Sequence, residues 1–278
     1  MDSTREYEQE IERWHAQRIA RLTAPNGWLS LAGLEWLKPG ANRIGSACDN
    51  DIVLAKAPAH LGTITWPDGG PLSIALDATD GVTIDGTTGT RAVLRDDSHA
   101  NPTTVAFGSV NFIAVDRGGR KGLRIRDSEA ETRTRFAGIE RFRVDDTWRI
   151  VADWVPLDPP YSLATGTVIG TVERYPAPGR AVFERDGKRF ELYPVLEAPG
   201  DTQLFLIFAD ATSGKETYGA ARFLYADMPR DGKIVLDFNK AYNPPCAFTP
   251  YATCPLAPPE NRLDMRITAG ELKYAKTP

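Results

Sequence analysis

Short runs of β-forming residues, each bounded by Gly, Pro, Asn or Asp, follow one another from Trp28 to about residue 238. Such runs at close spacing, with no second amphipathic helix among them, are typical of β-sandwiches and β-barrels. The pattern therefore predicts a mainly β fold. Examples of the predicted strands are Asp51–Leu54, Leu72–Leu76, Val82–Ile84, Phe112–Val115, Gly122–Arg126, Trp148–Trp154, Thr167–Val172, Ala181–Phe183, Phe190–Leu196, Gln203–Phe208 and Lys233–Phe238.

The start of the chain follows another pattern. Tyr7, Ile11, Trp14 and Leu22 recur at helical spacing and would form one apolar face. The turn-forming tripeptide at 25–27, Pro-Asn-Gly, would end such a helix. We therefore predict an N-terminal helix, followed by a small β-sandwich-like unit and a larger antiparallel β unit.

The segment 96–102, with the sequence DDSHANP, interrupts the strand pattern and indicates a domain boundary. We predict the helix over 1–25, the small sandwich-like unit over 26–97 and the larger β domain over 98–278. A chain of 278 residues is long enough to bury a sizeable core in these units. Asp186-Gly187 lies between two β runs and predicts a hairpin turn.

Composition and charge favour a cytoplasmic protein. The net charge of -4 gives no general attraction to nucleic acid or to anionic membranes. The first 20 residues carry charges throughout, unlike the apolar core of a signal peptide, and no apolar run approaches a membrane span. We expect no nucleic-acid or membrane partner, and the sequence leaves the oligomeric state open.

Four short stretches of the N-terminal half occur in the order found in a known domain. They are Arg43-Ile44-Gly45, Asn50–Leu54, Ala59-His60-Leu61 and Val82–Gly86. In this order they resemble forkhead-associated domains, small β-sandwiches that bind phosphothreonine. The resemblance implies a protein-interaction module in this half of the chain.

This half departs from the forkhead-associated pattern where phosphate would bind. That family places an arginine directly after the isoleucine-glycine pair, and this chain has Ser46. The family's serine-arginine pair is replaced by Ala57-Pro58. A phosphate needs charge-assisted donors at fixed positions. The resemblance therefore predicts the sandwich fold, while the donors for phosphothreonine are missing.

The segment Asp237–Glu271 has an unusual composition. It holds six of the 21 prolines and two of the three cysteines. Prolines restrict their own φ angle and the residue before them, and asparagines bond to loop backbone groups. The segment is thus predicted to be a rigid, packed loop region.

Several stretches of the C-terminal half also match a known family. They are Phe208–Gly214, Thr217–Gly219, Arg222–Leu224, Leu236–Asn239, Ala241–Phe248, Cys254–Leu256 and Ala269–Glu271. With them, the chain from about Trp28 onward resembles the bacterial and archaeal domain-of-unknown-function family 1684. The resemblance carries over no catalytic residue, so the candidate site depends on the residues themselves.

The polar residues around the proline-rich segment are the candidate site. Asp237 and Cys246 are the predicted catalytic groups, and the predicted ligand-binding residues are Arg222, Tyr218, Asn239, Tyr242 and Asn243. In the functional interpretation these groups converge on a small ligand in a pocket. In the structural interpretation Asp237 pairs with Arg222, and the asparagines bond to backbone groups that burial would leave unpaired.

The two cysteines of this segment, Cys246 and Cys254, allow four interpretations. They are small buried apolar groups, a reactive thiol with a lowered pKa, a local disulfide, or part of a metal site. A metal site would need further Cys or His ligands at suitable spacing. We predict no metal and no cofactor.

The sequence has no nucleophile elbow, zinc-protease helix, phosphate-binding loop or dinucleotide fingerprint. Our leading hypothesis is a soluble protein that binds a small polar or anionic molecule in a C-terminal pocket, with hydrolysis as a narrower form of that function. The alternative is a protein-interaction module that acts through the forkhead-associated-like sandwich. Whether the chain is an enzyme stays open at this point.

Overall fold

A computed structural model describes residues 2–275 of the chain. The chain forms two compact units. One is continuous and spans Thr23–Phe136, and we call it the sandwich unit. The other combines Met1–Leu22 with Ala137–Pro278, and we call it the split unit. The predicted mainly β fold with an N-terminal helix is confirmed.

Helix α1 spans Asp2–Thr23 and belongs, up to Leu22, to the split unit. Ile11, Arg18 and Leu22 are buried, at spacings that place them on one face. The helix ends two residues before Pro25, as the turn-forming tripeptide predicts. Among residues 2–275, no helix combines the length and apolar character needed to cross a membrane.

The sandwich unit contains ten strands and one short helix. They are β1 (Leu31–Trp36), β2 (Gly40–Gly45), β3 (Ile52–Val53), β4 (Gly62–Trp66), β5 (Ser73–Leu76), β6 (Val82–Ile84), β7 (Arg91–Val93), β8 (Thr104–Phe107), β9 (Val110–Arg117), β10 (Arg120–Asp127) and helix α2 (Glu131–Thr134).

Two five-stranded sheets make up the sandwich unit. Their strand orders are β1-β10-β9-β8-β6 and β3-β2-β4-β5-β7, and every pair is antiparallel except β2 with β3. Ile44 and Ile64 from one sheet share a buried cluster with Val105 and Phe112 from the other. The alternating burial along β5 and β8 is that of strands with one face on a core.

Within the residues that the structure describes, the split unit contains six strands. They are β11 (Arg149–Gly166), β12 (Val172–Arg185), β13 (Lys188–Leu192), β14 (Gln203–Phe208), β15 (Arg222–Asp227) and β16 (Lys233–Asp237). They form a four-stranded sheet in the order β13-β12-β11-β16 and a β14-β15 ribbon, and all pairs are antiparallel. Phe238 packs against Trp148, Phe183 and Phe208 in the core of this unit.

The chain after β16 contains no further strand within the described residues. It runs through 3₁₀ turns at Phe238–Lys240, Pro245–Ala247 and Pro259–Asn261, and it makes only isolated bridges to the strands. The side chain of Asn261 is fully buried and bonds to the backbone of Tyr193 and Ile207. Side chains of the proline-rich segment therefore make the hydrogen bonds to neighbouring backbone groups that, in a strand, the backbone itself would make.

Several observed strands have other bounds than the predicted ones, and two of the differences concern β11. Residues 167–171 form the turn between β11 and β12, not a strand, because the strand residues on either side of it pair with each other, Gly166 with Val172. Trp148–Trp154 is only the first part of the 18-residue strand β11. The predicted hairpin turn at Asp186-Gly187 joins β12 to β13, and both residues have positive φ values of 52° and 73°.

The predicted domain ranges also differ from the observed units. The boundary placed at 97 lies inside the sandwich unit, since β6 pairs with β8 across it. Helix α1 is grouped with residues beyond 136, with which it shares hydrogen bonds such as Tyr7 to Asp237. Residues 1 and 276–278 of the predicted ranges lie outside the described part.

Replacing Phe112 tests the core of the sandwich unit. Phe112→Ala should lower the free energy of unfolding by about 3–5 kcal/mol, because it leaves a cavity between the sheets. Urea unfolding followed by circular dichroism measures the loss. Val53→Ala is the matched control, since Val53 is 54% exposed and its loss should stay under about 1 kcal/mol. Equal losses in the two variants would contradict the assignment of Phe112 to the core.

Candidate functional site

The side chains of Arg222 and Asp210 form a fully buried ion pair in the split unit. Arg222 Nη2 lies 3.2 Å from Asp210 Oδ1, and the guanidinium also donates to the carbonyl oxygens of Ile267 and Ala269. Asp210 Oδ2 accepts a hydrogen bond of 2.7 Å from the backbone N–H of Ile267. Burial lowers the pKa of Arg222, and the charge of Asp210 opposes this effect. The pair thus connects β15 to the chain near residue 267.

Arg222 therefore pairs with Asp210 and not with Asp237. The register of the β14-β15 ribbon explains this pairing. Arg222 lies directly opposite Phe208, and Asp210 follows Phe208 by two residues, so the two charged side chains lie close together. The Thr212 hydroxyl donates to the same carboxylate and closes the turn that follows β14. The structure places Arg222 inside a solid core.

A second cluster surrounds Asp237, at the end of β16. The Tyr7 hydroxyl, on α1, donates to Asp237 Oδ1 over 2.7 Å and accepts from Asn239 Nδ2 over 2.9 Å. The Asn239 amide also exchanges two hydrogen bonds with the backbone of Asp145. Burial and the hydrogen bond to Asp237 raise the pKa of Tyr7. Helix α1, the strand end and the loop at 145 meet at this cluster.

The other carboxylate oxygen of Asp237 has no hydrogen-bond partner in the described part of the chain. Asp237 is only 6% exposed, and Lys240 Nζ lies 3.6 Å from this oxygen. Lys240 is closer to Glu10 of α1, at 2.6 Å, and this contact lowers the pKa of Glu10. A buried carboxylate oxygen without a hydrogen bond is uncommon in folded proteins and marks the group as a candidate for function.

A cleft of about 290 Å³ lies beside the Asp237 cluster, and we call it the Tyr7 cleft. Its lining consists of Thr4, Tyr7, Glu10, Asp146 and Arg149. All of these groups are polar or charged. The cleft therefore offers hydrogen-bonding and ionic contacts.

Arg149, at the start of β11, lies directly opposite Asp237 in the register of β11 with β16. Directly opposed residues of antiparallel strands project to the same face of the sheet. The Arg149 guanidinium and the Asp146 carboxylate form no ion pair within the residues that the structure describes. The Tyr7 cleft thus carries one cationic and one anionic group that are open to a ligand.

A third cluster holds Tyr242 and Asn243. Arg18 of α1 stacks over the Tyr242 ring at 4.4 Å and bonds to Glu271 at 3.2 Å. Glu271 accepts a hydrogen bond from the backbone N–H of Asn243, whose side chain donates to the carbonyl oxygen of Leu272. Burial raises the pKa of Glu271. These contacts connect α1 to the two ends of the proline-rich segment.

The fourth cluster contains the two cysteines. The backbone N–H of Cys246 donates to Cys254 Sγ over 3.2 Å, and both residues are thiols. The Tyr218 hydroxyl donates to the Cys246 carbonyl oxygen over 3.3 Å. A hydrogen bond from Cys254 is the largest effect that lowers the pKa of Cys246, and burial opposes it.

The predicted site residues are thus distributed over four clusters of the split unit. Asp237 and Asn239 bond to Tyr7, which lines the Tyr7 cleft, while the other five predicted residues bond within separate clusters. Sequence reasoning missed Tyr7, Arg149 and Asp210. For Tyr7 there was a signal, because a hydroxyl on the apolar face of a helix needs a polar partner. Among the described residues, no group of three or more His, Cys, Asp or Glu side chains could hold a metal ion.

The chain is therefore a mainly β protein whose split unit is braced by buried polar clusters and carries the polar Tyr7 cleft. Residues 134–272, which lie almost entirely within that unit, match the family model described as Protein of unknown function (DUF1684), and the chain belongs to this family. The family predicted from the C-terminal motifs is confirmed. None of the curated proteins that were compared with the chain matches it significantly.

Solved structures resemble parts of the chain. An uncharacterized protein from Haloarcula marismortui, solved by NMR, is 31% identical, with 52% of this chain and 81% of that protein covered and a TM-score of 0.44. The FHA-2 domain of an ABC transporter from Mycobacterium tuberculosis is also 31% identical. That match covers 32% of this chain and 77% of the domain, with a TM-score of 0.24. Forkhead-associated domains are thus among the structures similar to part of this chain.

Replacing Asp210 tests the buried ion pair. Asp210→Asn should lower the free energy of unfolding by about 3–5 kcal/mol, because it leaves the Arg222 charge buried without a counter-ion. Thermal and urea unfolding measure the loss. Glu191→Gln is the control, since its ion pairs with Arg180 and Arg189 are partly exposed and contribute under about 1 kcal/mol. A variant Asp210→Asn as stable as the control would show that the pair does not hold the fold.

Proposed function

We propose that the split unit binds a small polar molecule with an anionic group in the Tyr7 cleft. The observation that carries the proposal is the Arg149 guanidinium, which forms no ion pair among the described residues and lines the cleft. Guanidinium groups bind carboxylates and phosphates through parallel charge-assisted hydrogen bonds. The anionic group of the ligand would lie on Arg149.

The rest of the cleft supports a ligand that also donates hydrogen bonds. Asp146 and Glu10 present carboxylate oxygens, and Thr4 presents a hydroxyl. Glu10 is partly neutralised by Lys240, so Asp146 is the better acceptor for a cationic or N–H group. A volume of about 290 Å³ suits a molecule near the lower end of the range of ligand pockets.

Tyr7 connects the cleft to Asp237. Its hydroxyl lies between the cleft and the buried carboxylate, to which it donates. Hydrolysis would require Asp237 to act as a general base within reach of a water molecule, and its second oxygen has no hydrogen bond in the described part. Cys246 lies in another cluster and would not serve the same site. Hydrolysis by either residue stays a prediction.

Titration with simple anions tests the proposal. Backbone NMR spectra of the full chain are recorded with inorganic phosphate, acetate or glycine as the added probe. Saturable shifts are expected for residues 146–149 and for the first two turns of α1. Arg149→Met should weaken binding by about tenfold or more, because a hydrogen bond to a charged group contributes roughly 1.5–3 kcal/mol.

Arg230→Met is the control for loss of charge, since Arg230 is an exposed arginine of the same unit outside the cleft. It should leave the binding constant within about twofold of that of the unmodified chain. The reason is that dissolved salt screens the interaction between a bound anion and a distant exposed charge. Equal effects of the two variants, or no saturable shift with any probe, would refute ligand binding in the cleft.

The second candidate function is protein interaction through the sandwich unit. The loops before β3 and before β4 are held side by side, with hydrogen bonds from Ser46 N to Pro58 O and from Ala47 N to Ala59 O. The Asn50 side chain also bonds to both loops. A surface of rigid loops is suited to contact with a partner chain.

Charge at these loops argues against a phosphate ligand. Arg43 lies 3.5 Å from the Asp51 carboxylate and donates to the Asp49 carbonyl oxygen. His60, which lies in the exposed loop before β4, is 3.9 Å from the Asp49 carboxylate. These carboxylates would repel a phosphate and compete for the nearby cationic groups.

A peptide array with matched threonine and phosphothreonine pairs tests the second candidate. We expect the sandwich surface to bind both members of a pair equally, because Ser46 and Ala57 provide no charged donor. Binding to the phosphorylated member alone, removed by Arg43→Met, would contradict this expectation. Failure of every peptide to bind would count against the interaction function itself.

A further inference from the structure

Cys246 and Cys254 lie at the two ends of one short loop of the split unit. Cys246 belongs to the 3₁₀ turn Pro245–Ala247, where two consecutive prolines restrict the backbone. Cys254 is bonded through its carbonyl oxygen to the backbone N–H of Val168, in the turn between β11 and β12. Both ends of the loop are therefore held in place by backbone contacts.

The two thiols are neighbours. Cys254 Sγ lies 3.2 Å from the backbone nitrogen of Cys246. Because Cys254 Sγ lies this close to the backbone nitrogen of Cys246, rotation about χ1 of Cys246 can bring the Cys246 sulfur towards it. Bond formation between the two sulfurs would therefore need rotation of side chains and little movement of the backbone.

The two cysteines differ in access. Cys254 is 6% exposed, whereas Cys246 is only partly buried. Thiolates, and not thiols, attack disulfides. The neighbouring Cys254 and Tyr218 side chains lower the pKa of Cys246, against the effect of burial. Access and ionisation both distinguish Cys246 from its neighbour.

We propose that Cys246 and Cys254 form a reversible disulfide, with Cys246 as the attacking thiol and Cys254 as the resolving thiol. The oxidant is a low-molecular-weight disulfide. This is a redox modification site, and it is independent of the ligand proposed for the Tyr7 cleft.

The reaction balances as two thiol–disulfide exchanges. The Cys246 thiolate attacks one sulfur of the small disulfide, which breaks its S–S bond and releases one small thiolate. Cys254 then loses its proton and attacks the Cys246 sulfur of the mixed disulfide, which releases the second small thiolate. The protein loses two hydrogen atoms, and the small disulfide is reduced to two thiols.

Oxidation would change how the loop is held. The hydrogen bond from Cys246 N–H to Cys254 Sγ would give way to a covalent link between the two loop ends. Because Cys254 also bonds to Val168, the link would extend from the proline-rich segment to the β11-β12 turn. A short closed ring restricts the unfolded chain, so the oxidised protein should unfold at a higher urea concentration.

Oxidation of the full chain with graded ratios of reduced and oxidised glutathione tests the proposal. Intact mass and alkylation of the remaining thiols are measured, followed by peptide mapping. We expect loss of two hydrogen atoms and of two alkylation sites, with the disulfide mapped to Cys246 and Cys254. Addition of a reducing thiol should restore both sites. A stable glutathione adduct on Cys246 without the internal disulfide would overturn the proposal.

Single variants separate the roles of the two cysteines. Cys254→Ser should stop at the mixed disulfide on Cys246, and Cys246→Ser should leave Cys254 unmodified, because Cys254 is buried. Cys48→Ser is the matched control, since Cys48 is exposed in the sandwich unit and its loss should not affect the internal disulfide. Circular dichroism confirms that each variant is folded.

Two outcomes of the variants would also refute the assignment. A disulfide between Cys48 and either partner would show that the exposed cysteine is the reactive group. Equal modification of Cys254 in the Cys246→Ser variant and of Cys246 in the Cys254→Ser variant would show that the two thiols have no distinct roles.

Discussion

The split unit depends on the buried ion pair of Asp210 and Arg222. The chain after β16 has no strand of its own in the described residues, so side chains must fix its position. Arg222 bonds to the carbonyl oxygens of Ile267 and Ala269, and Asp210 bonds to the N–H of Ile267. Two buried charges cost several kcal/mol unless their hydrogen bonds are satisfied. The chain near Ile267 supplies those bonds, so the pair and the segment stabilise each other.

Periodicity predicted those strands whose burial follows it. Val82–Ile84 and Gln203–Phe208 have the predicted bounds, since each run of apolar residues is ended by turn-forming or polar residues. The long strand β11 was harder to predict. It contains prolines at 156, 159 and 160 and is exposed along much of its length, so neither hydrophobic alternation nor propensity marks it.

For the candidate site, the sequence identified two of the residues but not the groups to which they bond. The proline-rich segment correctly drew attention to Asp237 and Asn239, because buried polar residues in a rigid loop need partners. Those partners lie far away in sequence, and Tyr7 is 230 residues from Asp237. Charge alone suggested Arg222 as the partner of Asp237, but strand register decides in favour of Asp210. Strand register and the packing of a helix depend on tertiary structure, and they cannot be read from a single sequence.

The division of the split unit across the chain has a consequence for folding. Helix α1 reaches its partners near residues 237 and 271 only after the chain has passed through the whole sandwich unit. An unfolded insertion of that length would add about 4 kcal/mol of closure entropy. Arg133 Nε donates to the carbonyl oxygen of Thr23 over 2.7 Å, so the folded insertion holds its own ends together. If the sandwich unit folds first, it would therefore hold the two parts of the split unit close in the chain and lower the entropic cost of assembling that unit.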